Sequence, residues 1–147
     1  LKSTIQTVDG KKKEVGQVFL RPVDGGVQVY GKLTNLQPGR TVSLHIHETG
    51  SCDVMGKAAG GHFNPDNKPH SNPDDMNGHA GDLPNLTANE DGVATINYVN
   101  KKIAATEAGK YSVNRLAFIV HAGVDDYTSQ PSGNAGDRIG CGIIVKN

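Results

Sequence analysis

Six histidines, at positions 45, 47, 62, 70, 79 and 121, carry most of the chemistry that this 147-residue sequence could perform. His45 and His47 sit in the run TVSLHIH over 41–47. A strand's period of two puts Val42, Leu44 and Ile46 on one face and Thr41, Ser43, His45 and His47 on the other. Two imidazoles two residues apart on one strand face are a natural two-point start for a metal site. His62, His70 and His79 follow at intervals of eight and nine in a Gly/Pro-rich stretch, with Asp82 close behind. Three imidazoles and one carboxylate form a donor set suited to closed tetrahedral zinc. The all-imidazole pair on the strand suits copper or zinc and not calcium or magnesium. The competing reading is six histidines scattered over a surface, and their spacing argues against it.

The elements that must hold these side chains read as short strands. Residues 14–21 (EVGQVFLR) and 26–34 (GVQVYGKLT) are strands joined by the turn sequence Pro22-Val23-Asp24-Gly25. Val8-Asp9-Gly10-Lys11 reads as an earlier hairpin tip, with Lys11, Lys12 and Lys13 as solvated turn residues. From Glu48 to about Gly92 the alternation stops, and four of the seven prolines fall in this stretch. A loop that long inside a compact domain needs an organising cause, and bound metal would supply one. Further strands are expected at 93–99, 116–121 and 139–145, with a second loop, 122–138, between the last two. Residues 101–110 are the only helix candidate. The class is all-β, a sandwich or barrel of short strands, in one domain spanning 1–147.

Lys plus Arg equals Asp plus Glu, 15 each, so no nucleic-acid or anionic-membrane partner is expected. No apolar run reaches the length of a membrane span. Leu1 is followed at once by polar residues, so no signal peptide is expected, and an exported protein would be in its mature form. Cys52 and Cys141 lack the close pairing of a zinc finger. They read either as one long-range disulfide, implying an oxidising compartment, or as two buried thiols. Met55 and Met76 are not read as copper ligands, because thioether copper sites use several sulfurs together. The sequon Asn85-Leu86-Thr87 is read as unmodified.

Taken in order, HIHETGSC at 45–52, GGHFNP at 60–65, HAGDLPN at 79–85, HAGVDDY at 121–127 and GNAGDRIGCG at 133–142 resemble the copper/zinc superoxide dismutase family. The resemblance implies an immunoglobulin-like Greek-key β-sandwich or barrel with two long functional loops, an architecture of which this enzyme is itself an example. It implies copper on His45, His47, His62 and His121, and zinc on His62, His70, His79 and Asp82. Two sites with seven imidazole positions and six histidines then require a bridge, and His62 is the residue placed for it. By the same resemblance, Asp125 orients one histidine of each site, Arg138 is the active-site arginine, and Cys52 pairs with Cys141. The implied reaction is dismutation of superoxide to dioxygen and hydrogen peroxide by redox-cycling copper, with zinc structural and His62 and Arg138 catalytic. The alternative is a catalytically silent copper/zinc-binding structural or copper-handling module on the same fold. Such a module has no need of the full ligand set with Arg138.

The short interval from His47 to Cys52 and the short second loop resemble the bacterial secreted branch of the family. They imply an extracytoplasmic location, whether periplasmic, secreted or lipid-anchored, and allow a homodimer. Residues 122–137 contain no lysine, so Lys57 and Lys68 in the first loop are the alternative candidates for steering the anion, against the reading that they are solvated loop lysines.

Overall fold

The computed structural model describes residues 1–147. Eight strands form one antiparallel sheet: β1 (Lys2–Thr7), β2 (Glu14–Val23), β3 (Gly26–Leu33), β4 (Thr41–His47), β5 (Leu86–Thr87), β6 (Ala94–Asn100), β7 (Ala117–His121) and β8 (Arg138–Ile143). The spatial order is β5-β4-β7-β8-β1-β2-β3-β6, and the terminal strands β5 and β6 approach each other, so the sheet is a nearly closed barrel. The only helix is a single 3₁₀ turn, Lys57–Ala59.

Alternation explains the core. Val27, Val29 and Leu33 of β3, Val42, Leu44 and Ile46 of β4, and Phe118 and Val120 of β7 point into one apolar cluster with Ile5, Leu20 and Leu83. Fully burying one such side chain stabilises the fold by about 1.5–3 kcal/mol. β4 departs from a half-solvated strand, because His45 and His47 on its other face are buried as well. The two long connections, 48–85 and 122–137, lie over that face. A smaller cluster of Ala59, Ala117, Ile119 and Cys141 packs beneath the disulfide-bearing segment.

Several boundaries differ from the sequence expectation. The hairpin between β2 and β3 turns on Asp24-Gly25 alone, with Val23 paired to Gly26 and Gly25 at φ 86°. β5 lies inside the stretch read as loop, since two residues leave no alternation to see. β8 runs from Arg138 to Ile143, and beyond it Val145 makes an isolated bridge to Lys2. Residues 101–110 form no helix. That segment buries only Ile103 in the core, with Ala105 partly buried against it, so a helical apolar stripe is lacking, and Ala104 instead bridges Ser112.

Candidate metal centre

The barrel wall supplies three of the histidines. In the β4–β7 pairing Ser43 lies opposite His121 and His47 opposite Ala117, which puts His45, His47 and His121 on the same outer face. A bulge between Val120 and His121 shifts the β7–β8 register and sets Arg138 opposite His121. The first long loop supplies the rest by docking onto the free part of the β4 edge. Ile46 N–H donates to Gly81 O (2.9 Å), Phe63 N–H to Ile46 O (2.8 Å) and Glu48 N–H to Gly61 O (2.9 Å). These ladder-like bonds bridge His47 to His62 and His45 to Asp82. A Cβ at Gly81 would fall 2.2 Å from Ile46 O, so this approach requires glycine.

Two donor groups result. His45, His47, His62 and His121 converge in one, and His62, His70, His79 and Asp82 in the other. All seven residues are buried, with the donor atoms of each group within 4.8 Å of one another. His47 Nε2 lies 3.3 Å from His121 Nε2, and His62 Nδ1 lies 3.2 Å from His79 Nδ1. A tetrahedron with metal–nitrogen bonds of about 2.0–2.1 Å has edges of about 3.3–3.4 Å. His62 belongs to both groups, with Nδ1 facing Asp82 Oδ1 at 2.9 Å. Its Nε2 and the Nδ1 of His45 are buried with no hydrogen-bond partner. Leaving a buried polar atom unpaired costs about 1–3 kcal/mol. A cation shared by these lone pairs removes that cost, so the donor sets fit copper and zinc.

Surrounding groups fix which nitrogen is free. His47 Nδ1 donates to Gly60 O (2.8 Å), leaving Nε2 for a metal. Asp125 accepts from His45 Nε2 (2.7 Å) with one oxygen and from His70 Nε2 (2.8 Å) with the other, so one carboxylate orients a ring in each group. Burial lowers the pKa of His62 to about 4 and that of His121 to about 3. Burial and the neighbouring His62 push His47 well below its usual value. These imidazoles are therefore neutral at pH 7, the form that ligates. His70 behaves oppositely. Burial opposes its charging, but bonds to Asp125 and Asp82 prevail and raise it to about 9. Despite burial, bonds from histidines hold Asp82 and Asp125 below the usual carboxylate range.

Arg138 donates from Nη1 to Gly56 O (2.7 Å) and from Nη2 to Gly60 O (2.6 Å). With His47, His62 and His121 it lines a mostly polar cavity of about 490 Å³. Lys57 lines a neighbouring cavity that Arg138 also borders, whereas Lys68 borders neither. Cys52 and Cys141 form a disulfide with their Cα atoms 5.8 Å apart, which decides between the two cysteine readings. Nothing in the sequence marks the supporting roles of the Gly56 and Gly60 carbonyls or of the Asn85 and Gln130 side chains. Backbone carbonyls and neutral amides have no motif that marks a partner distant in sequence.

An antiparallel barrel carrying two buried donor sets joined by one imidazole defines a two-metal protein of histidine-rich type. A sequence model described as copper/zinc superoxide dismutase (SODC) matches residues 14–144. Superoxide dismutase [Cu-Zn] 1 of Aquifex aeolicus is 36% identical over 148 residues, covering 98% of this chain and 88% of that protein. The solved copper/zinc superoxide dismutase of Brucella abortus superposes with a TM-score of 0.82 at 32% identity, covering 98% of each chain. A superoxide dismutase-like protein of Bacillus subtilis superposes at 0.86 with 36% identity, covering 98% of this chain and 97% of the other. The chain belongs to the copper/zinc superoxide dismutase family. It is an enzyme of that type, with copper and zinc as its metals.

Proposed function

We propose that the chain converts two superoxide anions and two protons into dioxygen and hydrogen peroxide, with copper held by His45, His47, His62 and His121 and zinc by His62, His70, His79 and Asp82. The observation that carries this reading is the pair of buried, partnerless nitrogens, His45 Nδ1 and His62 Nε2, beside a histidine common to both donor sets. Bound copper supplies a one-electron couple that zinc lacks, while zinc fixes the shared imidazole.

The chain's own residues do the rest. Arg138 uses two guanidinium donors on Gly56 O and Gly60 O, which pins its plane and leaves three N–H groups for the anion. Its charge persists across the working pH range, so attraction does not depend on titration. His62 would hold a proton at Nε2 and deliver it toward the departing peroxide. Asp125 keeps His45 and His70 from rotating during these changes. The mostly polar cavity suits a small hydrated anion better than a larger apolar substrate.

The disulfide supports an extracytoplasmic setting, periplasmic, secreted or lipid-anchored, where such bonds persist. Residues 1–147 act as one domain, and a homodimer is the proposed assembly. One observation favours a second reading, a silent metal-binding module: the Bacillus protein bears the name superoxide dismutase-like. The complete donor sets and the anchored Arg138 oppose it. The test is superoxide decay with zinc alone and then with copper. Copper-dependent decay that slows with salt is expected. No acceleration with copper demonstrably bound would leave the silent module.

A further inference from the structure

His70 stands at the seam between the two long loops. Its ring joins Asp82 of its own loop through Nδ1 and Asp125 of the other through Nε2. Its backbone has a separate partner. His70 N–H donates to Gln130 Oε1 at 2.7 Å, and Gln130 Nε2 donates to His70 O at 2.8 Å. One side-chain amide thus pairs with both backbone groups of one residue, as a neighbouring strand would. Pro69, just before His70, has no N–H to extend a ladder. The arrangement is reciprocal, since Asn85 of the first loop accepts from Asp125 N–H (3.0 Å) and donates to Asp125 O (2.9 Å).

Gln130 is itself held in place. Asp126 accepts from the backbone N–H groups of Thr128 (2.9 Å) and Ser129 (2.8 Å), and Gly133 N–H donates to Ser129 O (2.7 Å). This turn presents the Gln130 amide to His70, and Gln130 Nε2 also donates to Thr128 O at 3.0 Å.

We propose that Gln130 is a positioning residue for the zinc site: by clamping the His70 backbone from the second loop, it sets how tightly zinc is retained. The inference rests on the zinc assignment made above. Outer partners of this kind are worth about 10–100-fold in metal affinity. Neither the Gln130 amide nor the Asp126 turn bonds to the four-histidine group, so the effect falls on zinc and spares copper.

The experiment compares the wild-type protein with Gln130→Met, which keeps the side chain's length without its bonds, and with Gln130→Ala. Gln130 is exposed, so neither change disturbs the core. Zinc affinity is measured by chelator competition, copper affinity on zinc-saturated protein, and zinc-site geometry from the visible spectrum of the cobalt(II) form. The expected result is zinc affinity lowered tenfold or more in both variants, altered cobalt(II) bands, and copper affinity within twofold. A smaller zinc loss, or an equal loss of copper affinity with a lowered metal-free Tm, overturns the role of Gln130. A wild-type protein that holds no zinc overturns the site reading itself, and the role with it.

Discussion

Replacing Cys52 and Cys141 together by serine tests how far the fold of the site depends on a covalent tie. The bridge spans 89 residues. In the chain-entropy relation a closed loop of that size restricts the unfolded chain by about 15 cal/mol/K, or about 4–5 kcal/mol at 25 °C. That is a large share of the 5–15 kcal/mol typical of a folded domain. The assay is urea unfolding of the metal-free parent and of the double variant, so that metal binding does not add to the native state's apparent stability. The midpoint should fall by the amount that 4–5 kcal/mol represents at the parent's m-value. A function-linked readout accompanies it. The tied segment contains Gly56 and Gly60, whose carbonyls hold Arg138, and Gly60 O also accepts from His47 Nδ1. Metal-loaded serine variant should therefore lose dismutation rate while still binding copper. A metal-free variant within about 1 kcal/mol of its parent would refute the entropic reasoning. An unchanged rate would refute the idea that this tie holds the guanidinium.

Further outcomes follow from the same geometry. Arg138→Ala should lower kcat/KM for superoxide by about tenfold or more at low ionic strength, in line with the loss of a charged hydrogen-bond donor. Arg138→Lys should fall between, because it keeps the charge and loses the fork on Gly56 and Gly60; stopped-flow decay against salt measures both. Gly133→Ala should cost stability and zinc affinity together, read by urea unfolding and chelator competition. The position has φ 76°, and a Cβ there would lie 1.9 Å from Asp125 Oδ1 and 2.7 Å from His70 Nε2. Metal-free stability should peak near pH 6.5, the ordinary histidine value, by denaturant unfolding across pH. His62 and His121, lowered to about 4 and about 3, leave the unfolded chain binding more protons below that pH, so stability drops as pH falls through this window. His70, raised to about 9, contributes fully below about 6.5 and loses its contribution as pH rises toward 9. A profile with no maximum between these windows would contradict the assigned burial and bonding.

The sequence made β2, β3, β4 and β6 legible because each alternates an apolar face against the barrel interior, and β7 and β8 legible as short strand-like runs. β1 escaped a clear reading because KSTIQT buries Ser3 as completely as Ile5, which blurs the contrast on which alternation depends. The helix expected at 101–110 reflected favourable local composition, with alanine, lysine and glutamate at hand. Tertiary context overrode it, since only Ile103 of that segment is buried in the core. His45, His47, His62, His70, His79 and Asp82 could be singled out by type and spacing, whereas His121, Asp125 and Arg138 were implied by the resemblance to the family. What positions them could not be read. Asn85 and Gln130 act on backbone groups 40 and 60 residues away, and such pairings arise only once the loops cover the sheet.

The two donor sets differ in what builds them, and this bears on how the site assembles. Three members of the four-histidine set stand on adjacent barrel strands, where ladder hydrogen bonds fix the backbone whether or not metal is present. All four members of the other set come from one loop, held by the β4 edge, Tyr98, Lys102 and the second loop. Ordering that loop carries an entropy cost that bound metal offsets, so on the proposed assignment zinc affinity would include loop-folding free energy to a greater degree than copper affinity. His62 is the exception that couples them. It completes the strand-borne set, yet its backbone belongs to the loop and its Nδ1 faces Asp82. If copper takes the four-histidine set as proposed, a protein without zinc still offers it three imidazoles on barrel strands, while the fourth depends on the order of the loop. On the proposed assignment, zinc would act on the copper site both through the loop and through the ring of His62.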